Sequence, residues 1–362
     1  LQRISWPAEE GEAALRTRVG QQLQGMEMPP NLTLFHVGVE GLENICVETV
    51  STSHLLLGIN QTVTVQASLR NYGERNHEAL RVIFHADGKP VDEQQIPLGA
   101  GERRQVRFRH SFDTPGSHVI EVATDADSLK ADNIFRASIP VWDKVPVLVI
   151  NGAPDSEPLK GETDFLQIAL QPYREGGEPD LVDLLETRII NVADFNSAAI
   201  GDTRVVVLAN VSQLQRSQLN ELQTFVKDGG GLMIFGGDQL DQRWYNEQLL
   251  PYGLLPARLG AVADKRNDPE PFTRMVVQRF DHPALKVFSN PRNGDLASAE
   301  VRQWHRTVED PDNELVRPLA RLETGDAFLI EKIYGNGRVL FCATACDDAW
   351  SSLPLRPFFV PF

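Results

Sequence analysis

The 362-residue chain is poor in cysteine, with three in all, and Cys46, Cys342 and Cys346 are too scattered for a disulfide framework. The nearer pair reads C-x-x-x-C without a histidine pair at zinc spacing, which argues against a zinc finger or ribbon. Long hydrophobic runs are missing too. No stretch approaches the roughly 18 apolar residues of a membrane helix, and no charged-then-apolar leader precedes a small-residue cleavage site. Positive charge is in deficit. Against 50 Asp and Glu stand 35 Lys and Arg, a net charge of −15, which argues against nucleic acid or an anionic bilayer surface as the main partner. The start at Leu1 without Met and the apolar finish at 353–362 are expected of a piece cut from a longer protein.

What is present is an ordinary globular composition, 41% hydrophobic, in a chain long enough for two or three domains, since single cores rarely exceed about 250 residues. Residues 1–40 read as one helix and one strand. Ala13, Leu15, Val19 and Leu23 recur at mostly helical intervals, Pro29-Pro30 block continuation, and a strand follows near 32–39. One helix and one strand cannot bury their own faces. This segment is therefore expected to pair with another domain or with a second copy of the chain.

Over 41–141 the period changes to two. Val63, Val65, Ala67 and Leu69 share one face of a run, Leu80, Val82 and Phe84 do so in the next, and Asp87-Gly88 is a hairpin signal. Six or seven short strands in about one hundred residues predict an immunoglobulin-like β-sandwich.

From 142 to 362 buried strands alternate with amphipathic helices. Val145-Pro-Val-Leu-Val-Ile150, Arg204-Val-Val-Val-Leu-Ala209 and Gly231-Leu-Met-Ile-Phe235 are continuous apolar runs, as in parallel strands covered on both faces. Between the last two the spacing predicts a helix with Ser217 as N-cap and Leu219, Leu222, Phe225 and Val226 as its buried stripe, ended by Gly229-Gly-Gly231. An irregular insertion with some strands of its own is expected at about 263–321. A hairpin turning at Gly335-Asn-Gly337 returns the chain to the sheet. The whole predicts an α/β doubly wound domain.

Leu1-Gln-Arg-Ile-Ser-Trp6 with the strand at 32–39 resembles the end of a von Willebrand factor type A domain. Residues 63–141, with the exit at Asp132-Asn133, resemble the CARDB-type adhesion sandwich. Gly229-Gly-Gly-Leu-Met-Ile-Phe-Gly-Gly-Asp238 and Asp348-Ala-Trp-Ser-Ser-Leu-Pro-Leu-Arg-Pro357 resemble a class I glutamine amidotransferase-like domain. Together these features resemble the BatA-like bacterial membrane proteins. That resemblance implies membrane helices outside this fragment and an extracytoplasmic, periplasmic portion within it.

A class I amidotransferase needs a Cys nucleophile on a strand-to-helix turn, aided by a His and a Glu. Here that position falls at Phe235 or Gly236, neither of which can attack a carbonyl. The catalytic set is therefore read as absent, and His305 as a base without a nucleophile. A crevice is the better candidate. Ligands of doubly wound sheets bind beyond the carboxyl ends of the strands, and those ends carry Asn151, Asn210, Asp238, Asp347 and Asp348. Such side chains could hold a cation or sugar hydroxyls, or could simply close turns. His36, His85 and His118 lack metal spacing and are read as surface or packed residues. No cofactor is expected. The leading expectation is a non-catalytic extracytoplasmic scaffold with protein partners, without nucleic acid, and able to form a homo-oligomer. The alternative is a ligand sensor or a carboxylate-dependent hydrolase or transferase acting through the crevice.

Overall fold

Alternation in the first half and unbroken apolar runs in the second produce two different kinds of sheet. The computed structural model describes residues 43–362 except 54–55, 126, 128, 175–182 and 278, together with three residues near the start, 17, 20 and 21. The expected helix and strand of 1–40 lie outside the described residues. Two compact units are formed; among the described residues one holds 43–53, Thr62–His110 and Ser117–Ile139, and the other 56–61, Ser111–Gly116 and Pro140–Phe362.

The first part is β-rich and sandwich-like. Its strands are β1 (Ile45–Thr52), β2 (Leu57–Gly58), β3 (Val63–Asn71), β4 (His77–Ala86), β5 (Lys89–Leu98), β6 (Arg103–His110), β7 (Gly116–Thr124) and β8 (Ile134–Trp142). They form a three-stranded sheet, β1-β3-β6, and a five-stranded one, β2-β8-β7-β4-β5. The period of two puts Val63, Val65, Ala67 and Leu69 of β3, and Leu80, Val82 and Phe84 of β4, in the core. Phe84 of one sheet stacks on Phe108 of the other with ring centroids 5.3 Å apart. At the β4–β5 hairpin Asp87 and Gly88 both have positive φ, 50° and 75°, as the primed turn matching strand twist requires.

The second unit contains β9 (Val145–Asn151), β10 (Leu185–Asn191), β11 (Val205–Ala209), β12 (Gly231–Phe235), β13 (Arg258–Asp264), β14 (Thr273–Val276), β15 (Glu300–Val301), β16 (Gln303–Val308), β17 (Val316–Leu322), β18 (Ala327–Tyr334) and β19 (Gly337–Cys342). Nine of these make one sheet in the order β10-β9-β11-β12-β19-β18-β17-β14-β15, and β13 pairs with β16. The first five are mutually parallel, and the rest are antiparallel. The stretch expected to be an irregular insertion thus supplies β14, β15 and β17 to the main sheet. Strands of its own are expected there, but not their membership of the main sheet, and β14, with four residues, is too short to show a period.

The helix between β11 and β12 is Arg216–Lys227. Its N-cap is Gln215 rather than Ser217, and the Gln218 side chain accepts from the Gln215 N–H at 2.7 Å. Reaching back by one helical turn, that carboxamide supplies the N3 half of a capping box, satisfying the N–H of the N-cap itself. Leu219, Leu222 and Val226 are buried. Phe225 is only half-buried, and its ring lies where a Cβ on Gly230 would stand 2.4 Å away.

Pairing register brings the parallel strands to a common edge. Asn151 lies opposite Ala209, Ala209 opposite Phe235, and Phe235 opposite Cys342. Four parallel strands therefore end level, and the residues just beyond them leave the sheet side by side.

Candidate functional site

The level strand ends put Gly152, Asn210, Gly236 and Ala343 in one row. The ladder continues one residue past each strand: Gly152 N–H donates to Ala209 (2.9 Å) and Gly236 N–H to Cys342 (3.0 Å). Asn210 sits in the middle with φ of 51°, a left-handed conformation that Asn tolerates better than most residues. Both flanks need glycine. A Cβ on Gly152 would meet the Asn210 carbonyl at 2.0 Å, and one on Gly237 would meet the Asn210 side chain at 2.1 Å.

The Asn210 amide is buried and fully used. Its Nδ2 donates to Asp238 Oδ1 and to Glu162 Oε2, both at 2.9 Å, while Oδ1 accepts from the Gln239 N–H at 2.9 Å. Glu162, just before the helix Asp164–Leu170, is 2% exposed. Its Oε1 accepts from the backbone N–H of Cys346 (2.9 Å), and the Cys346 thiol faces the same oxygen at 3.3 Å and the Glu162 carbonyl at 3.1 Å. One carboxyl thereby joins the segment after β9, the end of β11 and the segment after β19.

Burial, and then the charge of Asp347, push the Glu162 carboxyl up to about 7. The hydrogen bonds from Cys346 and Asn210 oppose this shift, yet loss of water around an anion outweighs them. Asp347 is raised as well, chiefly by burial, with Asp348 and Asp238 adding like charge. The Cys346 thiol is held well above its ordinary range by burial and by Glu162, so it is a poor nucleophile. Cys342, wholly buried on β19, is pushed up to about 12 by burial.

The five residues selected from the sequence have different fates. Asn210 and Asp238 are in direct contact, and Asp347 is near enough to act on Glu162. Asn151 turns aside: its Nδ2 donates to Thr163 Oγ1 (3.0 Å) and its Oδ1 accepts from Ala153 (3.0 Å). Asp347 also closes a local turn by accepting from the Ala349 N–H at 3.0 Å. For Asp348 it is the backbone carbonyl that is engaged, by the Arg302 guanidinium at 2.8 Å.

Sequence reasoning missed Glu162. In Gly161-Glu-Thr-Asp164 it reads as an acid favouring a helix N-terminus, and nothing local separates that role from a buried one. His305 on β16 is 2% exposed, its Nε2 lies 3.1 Å from the Gly237 carbonyl, and its ring lies 5.2 Å from that of Trp350. Burial lowers its pKa, favouring the neutral ring. Among the described residues no group of three or more His, Cys, Asp or Glu could hold a metal ion. His118 pairs with Asp87 at 2.7 Å and His85 with Glu121 at 3.4 Å, both in the sandwich. His36 lies outside the described residues.

Comparison with known proteins identifies one segment. Residues 45–133 match the CARDB family model. The CARDB domain of a Pyrococcus furiosus protein is similar at 16% identity over 28% of this chain and 98% of its own, with a TM-score of 0.27. A cytoplasmic protein of Salmonella typhimurium is similar at 13% identity over 60% of this chain and 95% of its own (TM-score 0.44). A ThuA-like protein of Bacteroides uniformis is similar at 11% over 60% and 87% (TM-score 0.42). No curated protein matches the chain. Among the described residues no helix is long and apolar enough to cross a membrane.

Proposed function

We propose that this chain is the non-catalytic extracytoplasmic region of a membrane-anchored bacterial protein of BatA-like organisation. In this reading the CARDB-type sandwich is a spacer. The doubly wound, amidotransferase-like unit is a surface for protein partners or for a second copy of the chain, and the anchoring helices lie outside the fragment. One observation carries it. Where an amidotransferase would present a thiolate, β12 ends in Phe235 and is followed by Gly236, and the nearby thiol, Cys346, is fully buried, held protonated and bonded to Glu162. A nucleophile must be both ionised and reachable, and Cys346 is neither.

The test is direct. The fragment is incubated with glutamine while ammonia release is followed, and native protein is treated with iodoacetamide and mapped by mass spectrometry. No ammonia, and no adduct on Cys346 until the chain is unfolded, is the expected outcome. Turnover, or rapid labelling of Cys346 in the native state, would overturn the reading.

A second reading, a ligand sensor or a carboxylate-dependent hydrolase or transferase, is favoured by the contact of Asn210 with both Glu162 and Asp238. It is separated from the first by thermal shift with Ca²⁺, Mg²⁺, glutamine, nucleotides and simple sugars. A ligand at one hundred times its dissociation constant stabilises by about 2.7 kcal/mol, a shift of several degrees. A shift lost in Asp238→Ala supports the sensor; none from any compound leaves the scaffold.

A further inference from the structure

Glu162 ties together three segments that leave the sheet at its level strand ends. Its own N–H donates to the Ala153 carbonyl at 3.2 Å, closing the loop after β9. Its carboxyl then reaches across to the Cys346 N–H and to Asn210, 184 and 48 residues away in sequence. No other side chain joins these three places by hydrogen bonds among the described residues. Within the loop, Leu159 is 48% exposed and has φ of 64°, a conformation strained for a leucine. Such a loop stays in place only while something outside it holds it.

The charges around this fastening are of one sign. Asp347 follows Cys346 directly and acts on Glu162, Asp348 and Asp238 act on Asp347, and Asp238 meets the same Asn210 amide as Glu162. Asp164, two residues on, faces back to the Gly161 N–H at 3.1 Å. Cys346 contributes a neutral thiol, and His305, behind Gly237, a ring that burial keeps neutral. Arg302 approaches but donates to the Asp348 carbonyl rather than to a carboxylate. Among the described residues no Lys, Arg or His forms an ion pair with Glu162, Asp238 or Asp347. An ionised Glu162 would be a buried anion facing other acids with no counter-charge.

We propose that the Glu162 carboxyl is a proton-operated latch, which fastens the loop after β9 to the segment after β19 when protonated and releases it when ionised. The proposal does not depend on whether the strand ends bind a ligand. Linkage sets the form of the response. The closed state holds the Glu162 proton more tightly than an open, solvated one does, so opening becomes easier as pH rises. The ease of opening increases roughly tenfold per pH unit between the ordinary carboxyl range, near 4.5, and about 7, then levels off.

Hydrogen exchange reads this opening segment by segment, with the Cys346 amide as a reporter bonded to the latch itself. Rates at 152–162 and 343–349 are corrected for intrinsic pH dependence and followed from pH 5 to 8.5. In the wild-type fragment protection falls roughly tenfold per unit and reaches a plateau above about 7. In Glu162→Gln protection of these segments does not vary with pH. Asp347→Asn removes the like charge that acts on Glu162, so the plateau begins at lower pH. Corrected wild-type protection that is flat across the range overturns the latch, as does a slope that persists in Glu162→Gln. Should Glu162→Gln fail to fold, Asp347→Asn decides: an unmoved plateau rejects the proposal, and one moved to lower pH sustains it.

Discussion

In the sandwich an acid stands beside a base, whereas at the strand ends of the second unit acids stand beside one another. Glu48 bonds Arg103 and Tyr72, and Asp87 bonds His118 and the Val119 N–H; these contacts hold both carboxyls below the ordinary range. Glu162 and Asp347 are buried among like charges, which holds both above it. The same side-chain chemistry therefore has opposite pH dependence in the two regions. Alternating strands put their polar residues outward, where partners and water stabilise the charged form. Parallel strands end in loops that must fold back over an apolar sheet, and they carry their polar residues with them.

The comparison can be broken first on its apolar side. Phe84→Ala empties a fully buried position stacked on Phe108 and is expected to destabilise the sandwich by about 3–5 kcal/mol in chemical denaturation. A loss well under 1 kcal/mol would mean that this packing is not what holds the two sheets together.

The next effect concerns the buried acid. The folded state binds the Glu162 proton more tightly than the unfolded chain does. Its contribution is therefore complete below pH 4.5 and is lost as pH rises to about 7, with no further loss above. The difference is about 3 kcal/mol, read from denaturation midpoints across that window. Glu162→Gln should flatten this part of the curve.

Asn210→Ala strands the Gln239 N–H and one Glu162 oxygen and is expected to cost about 2 kcal/mol. Asn210→Gly, which keeps the left-handed backbone easily, should recover part of that loss. Equal losses in the two variants would assign the whole effect to the amide.

The smallest effect is at the Asp87–His118 pair, whose carboxylate is half exposed. Asp87 has a lowered pKa, so its contribution is present above the ordinary carboxyl range near 3.8 and disappears below it. The sign is opposite to that of Glu162. Because Asp87 is half exposed, Asp87→Asn, which leaves the buried His118 ring in place, should remove less than about 1 kcal/mol of stability at pH 6. A larger loss would show that the sandwich, too, depends on a desolvated charge.

Periodicity and turn chemistry made much of the fold legible. The faces of β3 and β4, the turn at Asp87-Gly88, the apolar runs of β9, β11 and β12, and the hairpin at Gly335 are all local patterns. Segment 263–321 was readable only as an insertion with some strands of its own; that β14, β15 and β17 join the main sheet was not, because pairing partners are not a local pattern. At the site, Asn210 and Asp238 were readable as polar residues at strand ends, and their contact needed only that the strands end level. Glu162 was not readable, since a helix-preceding acid looks the same in sequence whether it faces water or a buried thiol.

The sequence by itself determined which residues are apolar and at what period, and hence two kinds of sheet and their turns. Only the tertiary structure decided that Glu162, Asn210 and Cys346 meet. A carboxyl's ionisation depends on the water removed from it and the charges brought near it, and both are set by residues up to 184 positions away.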